Sequence, residues 1–85
     1  METLDQITET VKAYILATFL PGENPDALTA TTPLVTGGIL DSLATLKLVS
    51  FLEEQYKMEL KAHEVDVDNL NTISQIANLV RGKLG

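Results

Sequence analysis

The sequence predicts an all-α fold, a small four-helix bundle of three main helices and a short third one, with a long loop between helices 1 and 2. Three observations predict it. Apolar residues recur at three- and four-residue spacing in three stretches, and no stretch competes with the two-residue period of a half-buried strand. Two Thr-x-x-Gln sequences, Thr3 with Gln6 and Thr72 with Gln75, stand at the heads of the first and last of these stretches as candidate capping boxes. Proline and glycine gather between the first two, at Pro21-Gly22, Pro25, Pro33 and Gly37-Gly38.

The first helix is expected from about Leu4 to Leu20, with Leu4, Ile7, Val11, Tyr14, Ile15 and Phe19 on one buried stripe. Pro21-Gly22 ends it. A connection of about 20 residues follows, in which Pro25, Pro33 and the Thr29 to Thr32 run break any regular element. Loops of this length without structure of their own are usually functional or disordered. Leu28, Leu34, Val35, Ile39 and Leu40 give this one apolar anchors, so it is expected to lie ordered across the helices.

A second helix is expected over about Ser42 to Tyr56. Thr45, Leu48, Val49, Leu52 and Tyr56 form its core face, with Phe51 at the boundary and Lys47, Ser50, Glu53, Glu54 and Lys57 towards solvent. Leu43 and Leu46 break the rule by projecting with the polar group. Either they are scattered surface leucines or loop-covered ones, or they form a small apolar contact patch. The segment from Met58 to Leu70 holds enough apolar residues for one short helix or turn. The last helix runs from about Thr72 to Leu84, capped by Thr72 or by Asn71, with Ile73, Ile76, Ala77, Val80 and Leu84 buried and Arg81 and Lys83 suited to its C-terminal dipole.

Composition excludes several classes of function. Eighty-five residues suffice for one domain, residues 1–85, with a single modest core and no deep enclosed active site. Stability in the usual per-residue range is about 4–13 kcal/mol. The chain has no cysteine and one histidine, His63, which excludes disulfides, thiolate zinc sites and multi-histidine metal centres. A net charge of −6 without any basic stripe argues against nucleic acid as a partner. The start, Met1-Glu2-Thr3-Leu4-Asp5, is acidic where a secretory signal is basic, and no apolar run approaches a membrane span. A soluble cytoplasmic monomer is the expectation, with neither nucleic acid nor membrane as a partner.

The residue with most chemical promise is Ser42, in Gly37-Gly38-Ile39-Leu40-Asp41-Ser42-Leu43, a hydroxyl at the mouth of a helix with two glycines just upstream. Asp41 or Ser42 as a simple helix cap explains the pair but not the glycines, the outward leucines or the long loop. Hydrolysis needs a base and an orienting acid; His63 is the only base, it lies in a polar segment, and no Gly-x-Ser-x-Gly elbow surrounds Ser42. Glu64, Asp66 and Asp68 lack the central glycine and terminal glutamate of a calcium loop, and read better as a solvated acidic face. No catalytic residue and no metal ligand is therefore expected, and the chain is expected not to be an enzyme.

Gly38-Ile39-Leu40-Asp41-Ser42-Leu43 resembles the attachment motif of acyl and peptidyl carrier proteins. The resemblance extends to the order of elements: a helix, a long loop, Asp-Ser-Leu at a helix start, Phe51-Leu52-Glu53-Glu54-Gln55-Tyr56 at its end, a short third helix and a Thr-Ile helix last. It covers the whole chain, as in a free-standing carrier. The resemblance implies that Ser42 carries 4′-phosphopantetheine, donated by coenzyme A and installed by a phosphopantetheinyl transferase. The arm's thiol then holds an acyl or aminoacyl group as a thioester. It further implies that Asp41, Leu43 and Leu46 belong to the surface that partner enzymes recognise: the transferase, a loading enzyme of adenylation or acyltransferase type, and a downstream synthase or transferase.

Two departures qualify the likeness. Many such carriers have an acidic residue just before the glycines, where this chain has Thr36. Fatty-acid carriers tend to have a strongly acidic second helix, whereas residues 42–57 balance Glu53 and Glu54 with Lys47 and Lys57. Charge complementarity sets partner choice and association rate, so Lys47 joins the recognition residues. A dedicated pathway for a polyketide, an antibiotic, a nonribosomal peptide or a loaded amino acid is expected, rather than fatty-acid synthesis. The rival from another class is a helical adaptor with no prosthetic group.

Overall fold

The computed structural model describes residues 3–84; Met1, Glu2 and Gly85, and with them part of the acidic start, lie outside the described residues. Four α-helices follow in order, α1 (Leu4–Phe19), α2 (Ser42–Tyr56), α3 (Val67–Leu70) and α4 (Ile73–Leu84), with short 3-10 turns at Pro25–Ala27 and Ala62–Glu64. No described helix is long and apolar enough to cross a membrane.

The start of α1 is fixed by its predicted capping box: Gln6 N donates to Thr3 Oγ1 at 3.1 Å and Thr3 N donates to Gln6 Oε1 at 2.8 Å. Ile7, Val11 and Ile15 are fully buried, and α4 packs along α1 through Ile73, Ile76, Ala77 and Val80. Leu4 departs from the expected stripe and is 43% exposed. It is the first helical residue, and its side chain leans towards the N-terminus, where no further turn covers it. Gly22, at φ 86°, takes the left-handed conformation that turns the chain away after α1.

The long loop is ordered across the helices, with Leu28, Leu34 and Leu40 in the core and Val35 and Ile39 packed against it. Its prolines were expected to break any regular element, but the loop holds a short 3-10 turn at Pro25–Ala27. Asn24 accepts from Asp26 N at 2.9 Å, and Pro25 opens the turn. Proline suits that first position because its missing N–H has no partner to lose there.

The buried row of α2 is Ala44, Leu48, Leu52 and Tyr56, while Thr45 and Val49 are only half-buried. The row follows a strict four-residue ridge, which rotates the face slightly from the one expected and leaves Thr45 and Val49 on its flank. Glu53, expected in solvent, is half-buried and accepts from Leu60 N at 2.9 Å. Lys57 stands at φ 52° as the C-cap, so the chain folds back and brings Leu60 to that carboxylate.

The Thr72–Gln75 box caps α4, with both reciprocal bonds at 3.1 Å, which frees Asn71 for another task described below. The acidic segment is only partly a solvated face. Asp66 caps α3 through Asn69 N, and Glu64 Oε1 accepts from Lys61 N at 2.9 Å and pairs with Lys83 Nζ at 2.6 Å. The Lys83 ammonium, first, and the Lys61 N–H hold the Glu64 carboxyl below its ordinary value. A depressed acid stabilises the fold above its unfolded-state pKa, and that contribution fades as pH falls through the folded-state value. Glu64→Gln is therefore expected to lower the urea midpoint at neutral pH, and the difference from wild type should shrink on acidification below the ordinary glutamate range. A difference that stays constant with pH would contradict this.

Candidate functional site

The approach to Ser42 is a fixed turn. Leu34 O accepts from both Ile39 N and Leu40 N at 2.9 Å, and Gly38 N donates to Val35 O at 3.2 Å. Both glycines are required by this geometry rather than supplying latitude alone. A Cβ at Gly37 would stand 2.3 Å from the Pro33 carbonyl oxygen, and Gly38 adopts φ 85°. Leu40, 2% exposed, then anchors the chain in the core immediately before the helix.

Asp41 is the N-cap of α2: its Oδ1 accepts from Ala44 N at 2.7 Å, while its carbonyl accepts from Thr45 N and Thr45 Oγ1. Ser42 is the first helical residue and is exposed. Because Asp41 does the capping, the serine hydroxyl is left over; among the described residues no hydrogen bond engages its Oγ. The N–H groups of the first helical turn lack intrahelical partners and, with the positive end of the dipole, favour an anion attached there.

Beside Ser42 runs a groove of about 560 Å³ between the start of α2 and the α3 segment. Asp41, Ser42 and Leu46 line one side, and Val65, Val67 and Leu70 line the other, with Val35 and Leu40 at the loop end. Its wall is largely apolar, with Asp41 and Asp66 at its edge. Val67, 42% exposed, is a groove residue that helical periodicity did not single out; its exposure is the signal.

Leu43 and Leu46 are 62% and 60% exposed, so neither is covered by the loop. Lys47 is exposed beside them and borders a second depression of about 370 Å³ with Tyr14, Leu46, Ser50, Phe51 and Glu54. Tyr14 forms the floor of that side: its ring stacks on Phe51 at 4.0 Å, and its hydroxyl donates to Lys47 O at 3.2 Å. Ala44 is buried and takes no part in the exposed face, so Lys47 alone sets the charge of the first two turns of α2.

His63 is exposed, no hydrogen bond joins it to Ser42, and no group of three or more His, Asp or Glu side chains is placed to hold a metal ion among the described residues. Asn71, weighed from sequence only as a helix cap, instead reaches the loop: its Oδ1 accepts from Val35 N and Thr36 N, both at 3.0 Å.

Comparison with known proteins bears on this geometry. The family model described as "Phosphopantetheine attachment site" matches residues 15–80, a span that includes the turn, Ser42 and both walls of the groove. The chain is also 35% identical over 68 residues to a protein named "Probable acyl carrier protein PigG" from Serratia sp. (strain ATCC 39006), covering 80% of this chain and 77% of that relative.

Proposed function

The chain belongs to the phosphopantetheine attachment family, and from that premise we propose that Ser42 is the residue that carries the arm and that the protein delivers a thioester-bound acyl or aminoacyl group to partner enzymes. The prosthetic group of the family is covalent 4′-phosphopantetheine. Supplied with it, the protein gains a terminal thiol that forms thioesters. The observation that carries the assignment to Ser42 is its exposed, unengaged hydroxyl at the head of α2, on the rim of the groove.

Each of the chain's own residues has a task in this reading. Asp41 satisfies the helix start, so Ser42 Oγ is free to form the bond to phosphorus while coenzyme A loses 3′,5′-ADP and a base of the transferase takes the serine proton. Leu40 and the Gly37-Gly38 turn hold the serine out from the core. The groove wall of Leu46, Val65 and Val67 offers the arm an apolar bed. Leu43 and Leu46 supply exposed apolar surface that a visiting enzyme can bury. The protein itself catalyses nothing in this reading; it is a substrate of its partners.

The test is incubation with coenzyme A, magnesium and a broad-specificity phosphopantetheinyl transferase, followed by intact mass measurement. A gain of one phosphopantetheine supports the carrier, and no gain under conditions that modify a control carrier overturns it in favour of an adaptor without a prosthetic group.

The cationic side chain on the second turn of α2 favours a dedicated pathway, of polyketide, antibiotic, nonribosomal peptide or amino-acid-loading type, over fatty-acid synthesis. Enzymes that dock through basic patches meet Lys47 as a like charge. Lys47→Glu is expected to raise association with fatty-acid synthase enzymes by about tenfold at low salt relative to an adenylation-type loading enzyme. An unchanged ratio of their rates would mean that Lys47 does not choose partners.

A further inference from the structure

We propose that Asn71, at the junction of α3 and α4, is a positioning residue for the modification of Ser42, because its side-chain carbonyl oxygen holds the turn that presents the serine to the transferase. The inference rests on the reading of Ser42 as the attachment residue.

Three donors converge on Asn71 Oδ1: Val35 N and Thr36 N at 3.0 Å and Thr36 Oγ1 at 3.3 Å. Its backbone carbonyl accepts from Leu34 N at 2.6 Å. Leu34 O in turn accepts from Ile39 N and Leu40 N, and Leu40 leads directly into the cap Asp41 and into Ser42. A short chain of hydrogen bonds therefore runs from residue 71 to the head of α2. A second tie, Ser74 N to Ala30 O at 3.0 Å, fixes the earlier part of the same loop to α4. Neither connection is local in sequence, so α2 does not set the position of Ser42 by itself.

Asn71 is available for this because the Thr72–Gln75 box already caps α4. What the site demands is an acceptor, since every contact to the Asn71 side chain is a donor from the loop. Aspartate meets that demand and leucine, of similar size, does not. Leucine would leave the part-buried Val35 N without a partner and let the turn relax. A turn that samples several positions is a poorer substrate surface, and the loss should fall on recognition rather than on the chemical step inside the transferase.

The experiment measures KM and kcat of a broad-specificity transferase, with coenzyme A, for wild type, Asn71→Leu, Asn71→Asp and Val11→Ala, at a temperature where circular dichroism shows all four folded. Val11 is fully buried in α1, takes no part in the hydrogen bonds between Asn71 and the loop, and serves as a destabilised control. Asn71→Leu is expected to raise KM for the carrier by about tenfold with kcat within about twofold, the scale of losing one or two hydrogen bonds. Asn71→Asp should match wild type, and Val11→Ala should melt earlier with KM unchanged. Amide exchange at Val35 and Thr36 should quicken in Asn71→Leu and not in Asn71→Asp. Should the leucine variant not fold, Asn71→Ala replaces it with the same expected result. An unchanged KM in the leucine or alanine variant, equal impairment in the aspartate variant, or an equal rise in Val11→Ala overturns the positioning role while leaving Ser42 as the attachment residue. Failure of wild type itself to be modified overturns the attachment reading and this inference with it.

Discussion

Ser42→Ala is expected to stay at its unmodified mass under conditions that add one phosphopantetheine to the wild-type protein. The effect should be total, because the hydroxyl is the acceptor and no neighbour can replace it. The chain has two other serines. Ser50 is exposed but lies in the middle of α2, where the backbone N–H groups are already used within the helix. Ser74 is half-buried in the first turn of α4. The substitution should cost the fold little. Asp41, not Ser42, supplies the cap, and exposed positions without special contacts usually change stability by less than about 0.5 kcal/mol. Thermal melts of the two proteins should therefore nearly overlay, which separates loss of the acceptor from loss of structure. Modification of Ser42→Ala at the wild-type rate would contradict the assignment.

Leu34→Ala is expected to be the most damaging core substitution in the loop, destabilising the protein by about 2–5 kcal/mol. Against a total of about 4–13 kcal/mol for a chain of this length, that is a large share. Leu34 is fully buried, and its backbone is the hub that joins Asn71 to Ile39 and Leu40. Truncation leaves a cavity beneath the turn and loosens the approach to Ser42 at the same time. Urea unfolding followed by circular dichroism checks the first effect, and the rate of phosphopantetheine transfer checks the second. A loss below about 1 kcal/mol would mean that the loop is not part of the core.

The helices were legible in the sequence because their signals are local. Capping boxes at Thr3 and Thr72, the Pro21-Gly22 stop and the Ile7-Val11-Ile15 stripe each act within a few residues, and the structure has all of them. What was not legible depends on partners far along the chain. Periodicity assigned Glu53 to solvent, but the return of the chain after Lys57 brought Leu60 N to its carboxylate. The same holds for Asn71, which reads locally as a cap and is used 35 and 36 residues away. The glycines before Ser42 were visible as a signal, yet the reason for Gly37 is the Pro33 carbonyl, a contact made only once the turn closes.

The exposed leucines show the reverse case. Leu43 and Leu46 could be seen to project with the polar face, and the sequence left them as loop-covered, as scattered surface leucines or as a contact patch; the structure removes the first of these. The loop instead lies with Leu34 and Leu40 in the core, and both leucines remain open beside Ser42. The groove could not be read from periodicity, since its far wall comes from Val65, Val67 and Leu70, in and just before a four-residue helix.

The most direct test is fragmentation mass spectrometry of the wild-type protein after transfer from coenzyme A, locating the added group among Ser42, Ser50 and Ser74. A phosphopantetheine found on Ser42 alone is the expected result. A group found on Ser50 or Ser74, or no group on any serine of a protein that is fully folded, would contradict it.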